Sequence, residues 1–279
     1  MAWSKFCMTD PQERFLVFAA MRNEGAFIVE WVSWYRMLGF EVLVATNDCT
    51  DSSTLLLDAL ADAGWLTHIT HDPGKWTPKR SAYAAARAHP LIGAVTWIFV
   101  CDVDEFLVLR RGDGTIGGFL GDHPRDFLGM AFNWRCFGNG KWQRYRDGLV
   151  HRTFRRAART GAGTNQQFKS MFRGPDLFED FGDHMPARFK GNWGGANRWV
   201  NTAFETISQV SEAGQDMVRR VERDQIRHDA AQLNHYVVRS DESYALKRGT
   251  PSASARRDRY TDDYHRMFNR NDVWDTSID

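Results

Sequence analysis

Three carboxylates crowd into four residues of the stretch Cys101-Asp-Val-Asp-Glu-Phe-Leu-Val108: Asp102, Asp104 and Glu105. They follow an almost unbroken apolar run, Val95-Thr-Trp-Ile-Phe-Val100. A short run of β-branched and aromatic residues reads as a strand buried on both faces, of the kind found in parallel sheets. Carboxylates packed at the end of such a strand repel one another and lose hydration, which costs several kcal/mol unless positive charge stands beside them. A divalent cation answers that need, and hard oxygen ligands suit manganese or magnesium. The plainer alternative is an acidic surface turn that caps a following helix.

The elements that must position these groups are legible around them. Phe15-Leu-Val-Phe-Ala-Ala-Met21 reads as a first strand, broken by Arg22-Asn-Glu-Gly25. Helical spacing over Ala26 to Leu38 ends at Gly39. Val42 to Ala45 is a second strand, and the capping-rich turn Asn47-Asp-Cys-Thr-Asp-Ser-Ser53 opens a helix over Thr54 to Ala63. A third strand covers Leu66 to Ile69, and an Ala-rich helix follows Pro78 to about His89. Strands alternating with helices through short loops imply a mostly parallel sheet with right-handed crossovers. Ligands of such sheets bind at the carboxyl ends of the strands. Three polar clusters fall at those ends: Arg22-Asn23-Glu24, Asn47 to Asp51, and Asp102 to Glu105.

The second half is less regular. Strands are expected over Leu128 to Cys136, Gln166 to Arg173 and Leu233 to Arg239, with Gly191 to Asn197 a glycine-rich loop. Ser240 caps a helix over Asp241 to Lys247. The chain reads as one domain over residues 1–250, followed by a polar, charged tail over 251–279.

Composition excludes several classes. At 279 residues the chain can bury one full α/β core, and its net charge of +1 gives no ground for wholesale nucleic-acid binding. Basic residues instead cluster locally, from Arg152 to Arg159 and from Arg219 to Arg227, where an anionic membrane surface or acceptor is the alternative to plain solvation. The four cysteines, Cys7, Cys49, Cys101 and Cys136, show neither disulfide nor zinc spacing. No apolar stretch is long enough to span a membrane and Met1 to Lys5 lacks a leader's hydrophobic segment, so the expectation is a cytoplasmic protein, at most peripheral to the membrane, with no obligate protein partner.

The ordered set of blocks resembles glycosyltransferases of the GT-A fold, of the family 2 type and the related family 92-like proteins. Phe18-Ala-Ala-Met-Arg-Asn-Glu-Gly25 with Glu30-Trp31, Asn47-Asp-Cys-Thr-Asp51, and Cys101-Asp-Val-Asp-Glu-Phe106 carry the likeness in the first half. Phe168-Lys-Ser-Met-Phe-Arg173, Gly182-Asp-His184 and Asn234-His-Tyr236 with Ser240 and Lys247 carry it in the second, over roughly residues 14 to 250. The resemblance implies a nucleotide-diphosphate sugar as donor, with a UDP-sugar favoured, and a carbohydrate or glycolipid hydroxyl as acceptor. It implies that Arg22, Asn23, Glu24, Asn47 and Asp51 line the nucleoside pocket, and that Asp104 holds the metal while Asp102 reaches the ribose or a metal-bound water. His184 and His235 are the candidates for a further metal ligand, and Lys169 and Lys247 for the diphosphate. Transfer with inversion needs a base facing the acceptor hydroxyl, for which Asp183 beside His184 is preferred. Glu105 stands as a second catalytic candidate, with support of the site from behind, or a cap on the next turn, as its alternatives. The chain departs from the pattern at Thr46-Asn47, where many relatives place an acid, and at Tyr35, where family 92-like relatives tend to carry His; Tyr35 is therefore read as core. Lys79 and Arg80 open a helix, where phosphate contact is one reading and ordinary solvation the favoured one. Trp134, Trp142, Trp193 and Trp199 are candidates for stacking on an acceptor, with core packing the stronger reading.

Two other classes compete. A sugar nucleotidyltransferase shares the parallel sheet and carboxylates but opens with a glycine-rich basic loop, which Met21 to Gly25 is not. A non-catalytic nucleotide-sugar-binding protein is the other, and the intact Asp102 and Asp104 argue against it.

Overall fold

The computed structural model describes residues 13–121, 123–212, 218–254 and 257–279. Cys7 and the N-terminal stretch read above for a leader lie outside them. The first half alternates as its pattern demands: β1 (Phe15–Met21), α1 (Gly25–Met37), β2 (Glu41–Thr46), α2 (Ser53–Asp62), β3 (Thr67–Thr70), α3 (Pro78–Ala88) and β4 (Trp97–Val100). β1 is apolar throughout because both of its faces are covered. Val17 and Ala19 join Trp97 and Phe99 against Ile28, Trp31 and Tyr35 of α1. Leu16 and Phe18 join Ile98 and Val100 against Ala82, Tyr83 and Ala86 of α3. Each large apolar side chain removed from water here stabilises the fold by about 1.5–3 kcal/mol.

The second half adds β5 (Glu105–Leu109), α4 (Ile116–Leu120), β6 (Gly129–Cys136), α5 (Val150–Thr153), β7 (Arg156–Ala157), β8 (Phe168–Arg173), β9 (Phe178–Asp180), β10 (Ala187–Phe189), β11 (Trp199–Val200), α6 (Ser208–Glu212), β12 (Ala231–His235), α7 (Asp241–Ala245), α8 (Asp262–Phe268) and β13 (Val273–Trp274). The central sheet runs β3-β2-β1-β4-β8-β6-β12-β5, with β11 beside β6. β3, β2, β1 and β4 are mutually parallel, and β8 then runs antiparallel to both β4 and β6. β12 is parallel to β6 and antiparallel to β5. The mixed α/β class with a mostly parallel central sheet is as expected. Gly129 has a packing reason: a Cβ there would stand 2.4 Å from the Trp199 indole, which lies across the strand.

Three local readings change. β5 was not foreseen as a strand, because its leading Glu105 is wholly buried opposite His235 of β12, whereas a charge in sequence reads as a turn. The strand expected over Leu233 to Arg239 stops at His235, and Arg239 sits at φ +56° in the left-handed region. The segment from Ser252, read as a polar tail, instead carries α8 and β13. β13 pairs with β7, and Phe268 and Ile278 are buried in the core. Among the described residues no helix is long and apolar enough to cross a membrane.

Candidate active site

A cavity of about 1070 Å³ opens at the carboxyl ends of β1 and β4, where Ala20, Asp102 and Asp104 reach its wall. The turn that aims the two aspartates is fixed from behind. Glu105 N–H donates to Asp102 O at 3.0 Å, closing the turn. Asp102 N–H donates to Glu105 Oε2 at 2.8 Å, and Trp31 Nε1 of α1 donates to Asp102 O at 3.0 Å. Burial first of all, with Asp102 and Asp104 adding to it, pushes the Glu105 carboxyl up to about 8 despite Lys169. Glu105 has no exposed surface and does not line the cavity. This placement is that of the alternative given for it above, support of the site from behind.

Asp102 is held by two ammonium groups. Lys79 Nζ lies 2.7 Å from Asp102 Oδ1 and Lys169 Nζ 2.8 Å from Oδ2. Both lysines also reach Asp183 Oδ1 at 2.6 Å, and Tyr83 donates its hydroxyl to the same atom at 3.3 Å. The topology explains the convergence. β8 is antiparallel with Met171 opposite Phe99, so its early residue Lys169 stands at the carboxyl end of β4. α3 packs on the same face, with Lys79 in its first turn. Burial disfavours each charge, yet the mutual attraction of Lys79, Lys169, Asp102 and Asp183 keeps all four ionised, both lysines raised and both aspartates lowered. Lys79 therefore contradicts its reading as a solvated charge. Its one sequence signal was its place just inside a helix start after a proline.

Asp104 faces a different set. Lys247 Nζ is 3.2 Å from Oδ2 and also donates to Val237 O at 3.1 Å. His235 Nε2 stands 3.8 Å from Oδ1, because Tyr236 N–H donates to Asp104 O across the β12–β5 ladder. Burial alone would raise the Asp104 carboxyl; Lys247, His235 and Arg239 overcome it and hold the group far below the usual carboxylate range. His235 stacks on Trp134 with ring centroids 4.0 Å apart, and burial lowers its pKa to about 4. Burial likewise lowers His184 to about 4, and its Nδ1 pairs with Phe168 O at 2.8 Å.

The expected metal ligands are thus only partly assembled. Asp104 and neutral His235 leave a gap too wide for a hydrogen bond, which two bonds of about 2.1 Å span. Those two residues fit a manganese or magnesium ion. Asp102 does not, since both of its oxygens carry ammonium groups, and His184 is placed with Asp183 and the lysines. Among the described residues no cluster of three or more His, Cys, Asp or Glu side chains forms a metal-holding group. An ion at Asp104 and His235 would complete its shell from phosphate and water.

The nucleoside candidates do a different job in this structure. Asn23, at φ +57°, accepts from Thr50 N–H at 2.7 Å, and Asp51 accepts from Gly25 and Ser53 N–H at 3.1 and 2.9 Å. Asn47 donates to Asp48 at 2.9 Å, and Arg22 donates to Pro251 O at 3.2 Å. Glu24 pairs with Arg239 at 3.4 Å. The Asn23 and Asp51 contacts sew the β1–α1 and β2–α2 turns together, those of Arg22 and Glu24 tie the first turn to the C-terminal half, and none of the five side chains lines the cavity. Tyr35 is wholly buried against Cys101 and Glu105, as its core reading requires. Trp199 is core, Trp142 stacks under Arg146, and Trp193 packs on Phe189, so only Trp134 of the four reaches the cavity. The wall that sequence reasoning missed comes from the C-terminal segment, through Arg259, Tyr260, Tyr264 and Phe268.

Comparison with known proteins gives one sequence relative of weight. A glycosyltransferase family 92 protein of Ricinus communis is 30% identical over 93 residues, 33% of this chain and 16% of that protein. The chain therefore spans about a sixth of that relative's length. No family model matches. Among solved structures, S. aureus TarS 1-349 aligns over 84% of this chain and 63% of its own at 11% identity and a TM-score of 0.41. The same fragment in complex with UDP aligns over 59% and 47% at 13% identity and a TM-score of 0.35. The sequence match and the resemblance read from the motif blocks coincide: over the aligned stretch this chain is similar to a family 92 glycosyltransferase.

Proposed function

We propose that the protein transfers a sugar from a nucleotide-diphosphate sugar to an acceptor hydroxyl on a glycan or lipid-linked sugar, with a UDP-sugar as the favoured donor. The observation that carries this reading is the pairing of Asp102 and Asp104 with Lys79, Lys169 and Lys247 at the carboxyl ends of β1 and β4, with Asp102, Asp104 and Lys79 on the wall of one large cavity. A departing diphosphate is an anion, and preorganised cations at its leaving oxygen lower the barrier to its loss. Lys79 lines the cavity directly, while Lys169 lies behind it with a side chain 1% exposed. Lys247 rests on Asp104 and does not itself line the cavity. A divalent ion held by Asp104 and His235 would supply further charge neutralisation to the diphosphate.

Asp183 is a poor general base in this arrangement. Two ammonium groups and a tyrosine hydroxyl occupy its Oδ1, and its low proton affinity disfavours taking a proton from a sugar hydroxyl. Its geometry supports a positioning role for the lysines instead. Inversion remains part of the proposal on the strength of the resemblance, and the anomeric configuration of the product, read by NMR, tests it. A cytoplasmic location belongs to the same reading.

The activity test is a donor screen. The protein is incubated with a panel of nucleotide sugars, with and without manganese, and nucleoside diphosphate release is measured. Release that quickens with an acceptor supports transfer. Pyrophosphate exchange from a nucleoside triphosphate and a sugar phosphate would replace this reading with a nucleotidyltransferase.

A further inference from the structure

Five arginines line the cavity with no part in the donor chemistry described above: Arg259 of the C-terminal segment and four more. Arg80 and Arg87 lie on α3, seven residues apart and so about 10 Å along one face of the helix. Arg219 and Arg220 come from a separate segment, which a backbone bridge from Arg220 to Gln167 pins against the start of β8. All four line the same cavity as Asp102 and Asp104. Arg80, Arg219 and Arg220 are exposed, and among the described residues none of the four pairs with a carboxylate. Arg80 Cζ lies 5.0 Å from the centre of the Trp76 ring and Arg87 Cζ 5.9 Å from that of Phe181, and Arg87 donates to Pro175 O at 3.4 Å, which leaves most of their N–H groups available. Asp180, the acid on the same wall, is taken by Arg188.

Guanidinium groups with no carboxylate partner among the described residues, on two walls of one cavity, constitute an anion-binding surface, since arginine presents a fork that matches carboxylate, phosphate and sulfate. Under the proposed reading the donor's diphosphate is met by Lys79, on the cavity wall beside Asp102, and by Lys247, behind the wall on Asp104. The cavity lies at the upper end of the size range for a single small-ligand site, which leaves room for a second substrate. We infer that the acceptor is an extended carbohydrate chain bearing more than one negative group, held along Arg80, Arg87, Arg219 and Arg220 while its hydroxyl enters toward Asp104. The inference rests on the glycosyl-transfer reading for the role of the chain as acceptor, but the anion-binding surface can be tested without turnover.

Calorimetry at low salt uses three probes: tetragalacturonate, a phosphorylated maltooligosaccharide and neutral maltotetraose. UDP is titrated separately, and each titration is repeated with the Arg80→Gln/Arg219→Gln/Arg220→Gln variant, whose substitutions are at exposed positions. The expected result is binding of at least one anionic oligomer and not of maltotetraose. The variant should weaken that binding by at least about tenfold while changing UDP affinity by less than about twofold. Whether the carboxylated or the phosphorylated oligomer binds tells the two kinds of acceptor apart. Equal binding of the neutral oligomer, no binding of either anionic one, or a variant that loses UDP and keeps the oligomers would overturn the inference. Failure of UDP to bind the wild type, with the anionic oligomer still lost in the variant, would sink the glycosyl-transfer reading and leave the anion-binding surface standing.

Discussion

Replacing Lys79 with methionine tests the charge network at its weakest assumption. The ammonium bridges Asp102 at 2.7 Å and Asp183 at 2.6 Å, with its side chain only 10% exposed. At an effective dielectric constant near 20, each such contact is worth about 6 kcal/mol before desolvation is subtracted. Removing one partner of a buried pair costs about 3–5 kcal/mol net, because the remaining charges stay buried. In Lys79→Met the two aspartates share Lys169 alone, so the midpoint of thermal unfolding should fall by about 10 °C for a chain of this size. Asp183→Asn in the same background removes one orphaned charge and should recover about 2 kcal/mol, well outside the additivity expected of independent sites. The gap between Lys79→Met and the wild type should also narrow as pH falls toward 4, where the orphaned carboxylates take a proton. Differential scanning calorimetry of the wild type, Lys79→Met, Asp183→Asn and the double variant measures all of this. A midpoint shift under about 2 °C, or strictly additive changes, would refute the network as drawn.

The other predictions address single groups. Asp104→Asn should leave the fold intact, since the residue sits in a turn at a strand end, and should abolish nucleoside diphosphate release together with manganese-assisted nucleotide binding. Manganese alone should give no saturable heat at micromolar protein, because Asp104 and His235 are its only fitting ligands among the described residues. His184, His228 and His235 are lowered to about 4 and stay neutral while the unfolded chain protonates near 6.5, so each contributes stability that is full above 6.5 and lost as pH falls from 6.5 to 4; chemical denaturation across that window should show the loss, and a flat profile would contradict it. Glu105, raised to about 8, has the opposite sign, its contribution being full below about 4.5 and lost as pH rises to 8. Glu105→Gln keeps an acceptor for Asp102 N–H and should change stability at pH 5 by less than about 1 kcal/mol, while removing that alkaline loss.

What the sequence determined by itself is the local architecture and the chemistry at one strand end. Continuous apolar runs in β1, β2 and β4 leave only a strand covered on both faces. The helical spacing of α1 and the cap-rich start of α2 set the crossovers, and these put Asp102 and Asp104 at the sheet's carboxyl edge. Those signals have periods of a few residues and can be read along the chain. The site's other half has no such signal. Lys169, Asp183, His235 and Lys247 were named through the likeness of separate blocks and not through a period, and the pairing of β4 with β8 and of β5 with β12 is what brings Lys169 beside Asp102 and His235 beside Asp104. The spacing around Lys79 reads as a solvated helix start, and the structure buries it, because the groups that cover and neutralise it, Asp102 and Asp183, arrive from other elements. The C-terminal segment was misread for the same reason: its few apolar residues, Phe268 among them, are too sparse to announce a core contact until Trp134 and His235 stand opposite. Tertiary structure also places two ammonium groups on Asp183 and lowers its proton affinity, since that affinity depends on the charges within a few ångströms rather than on the neighbours in sequence.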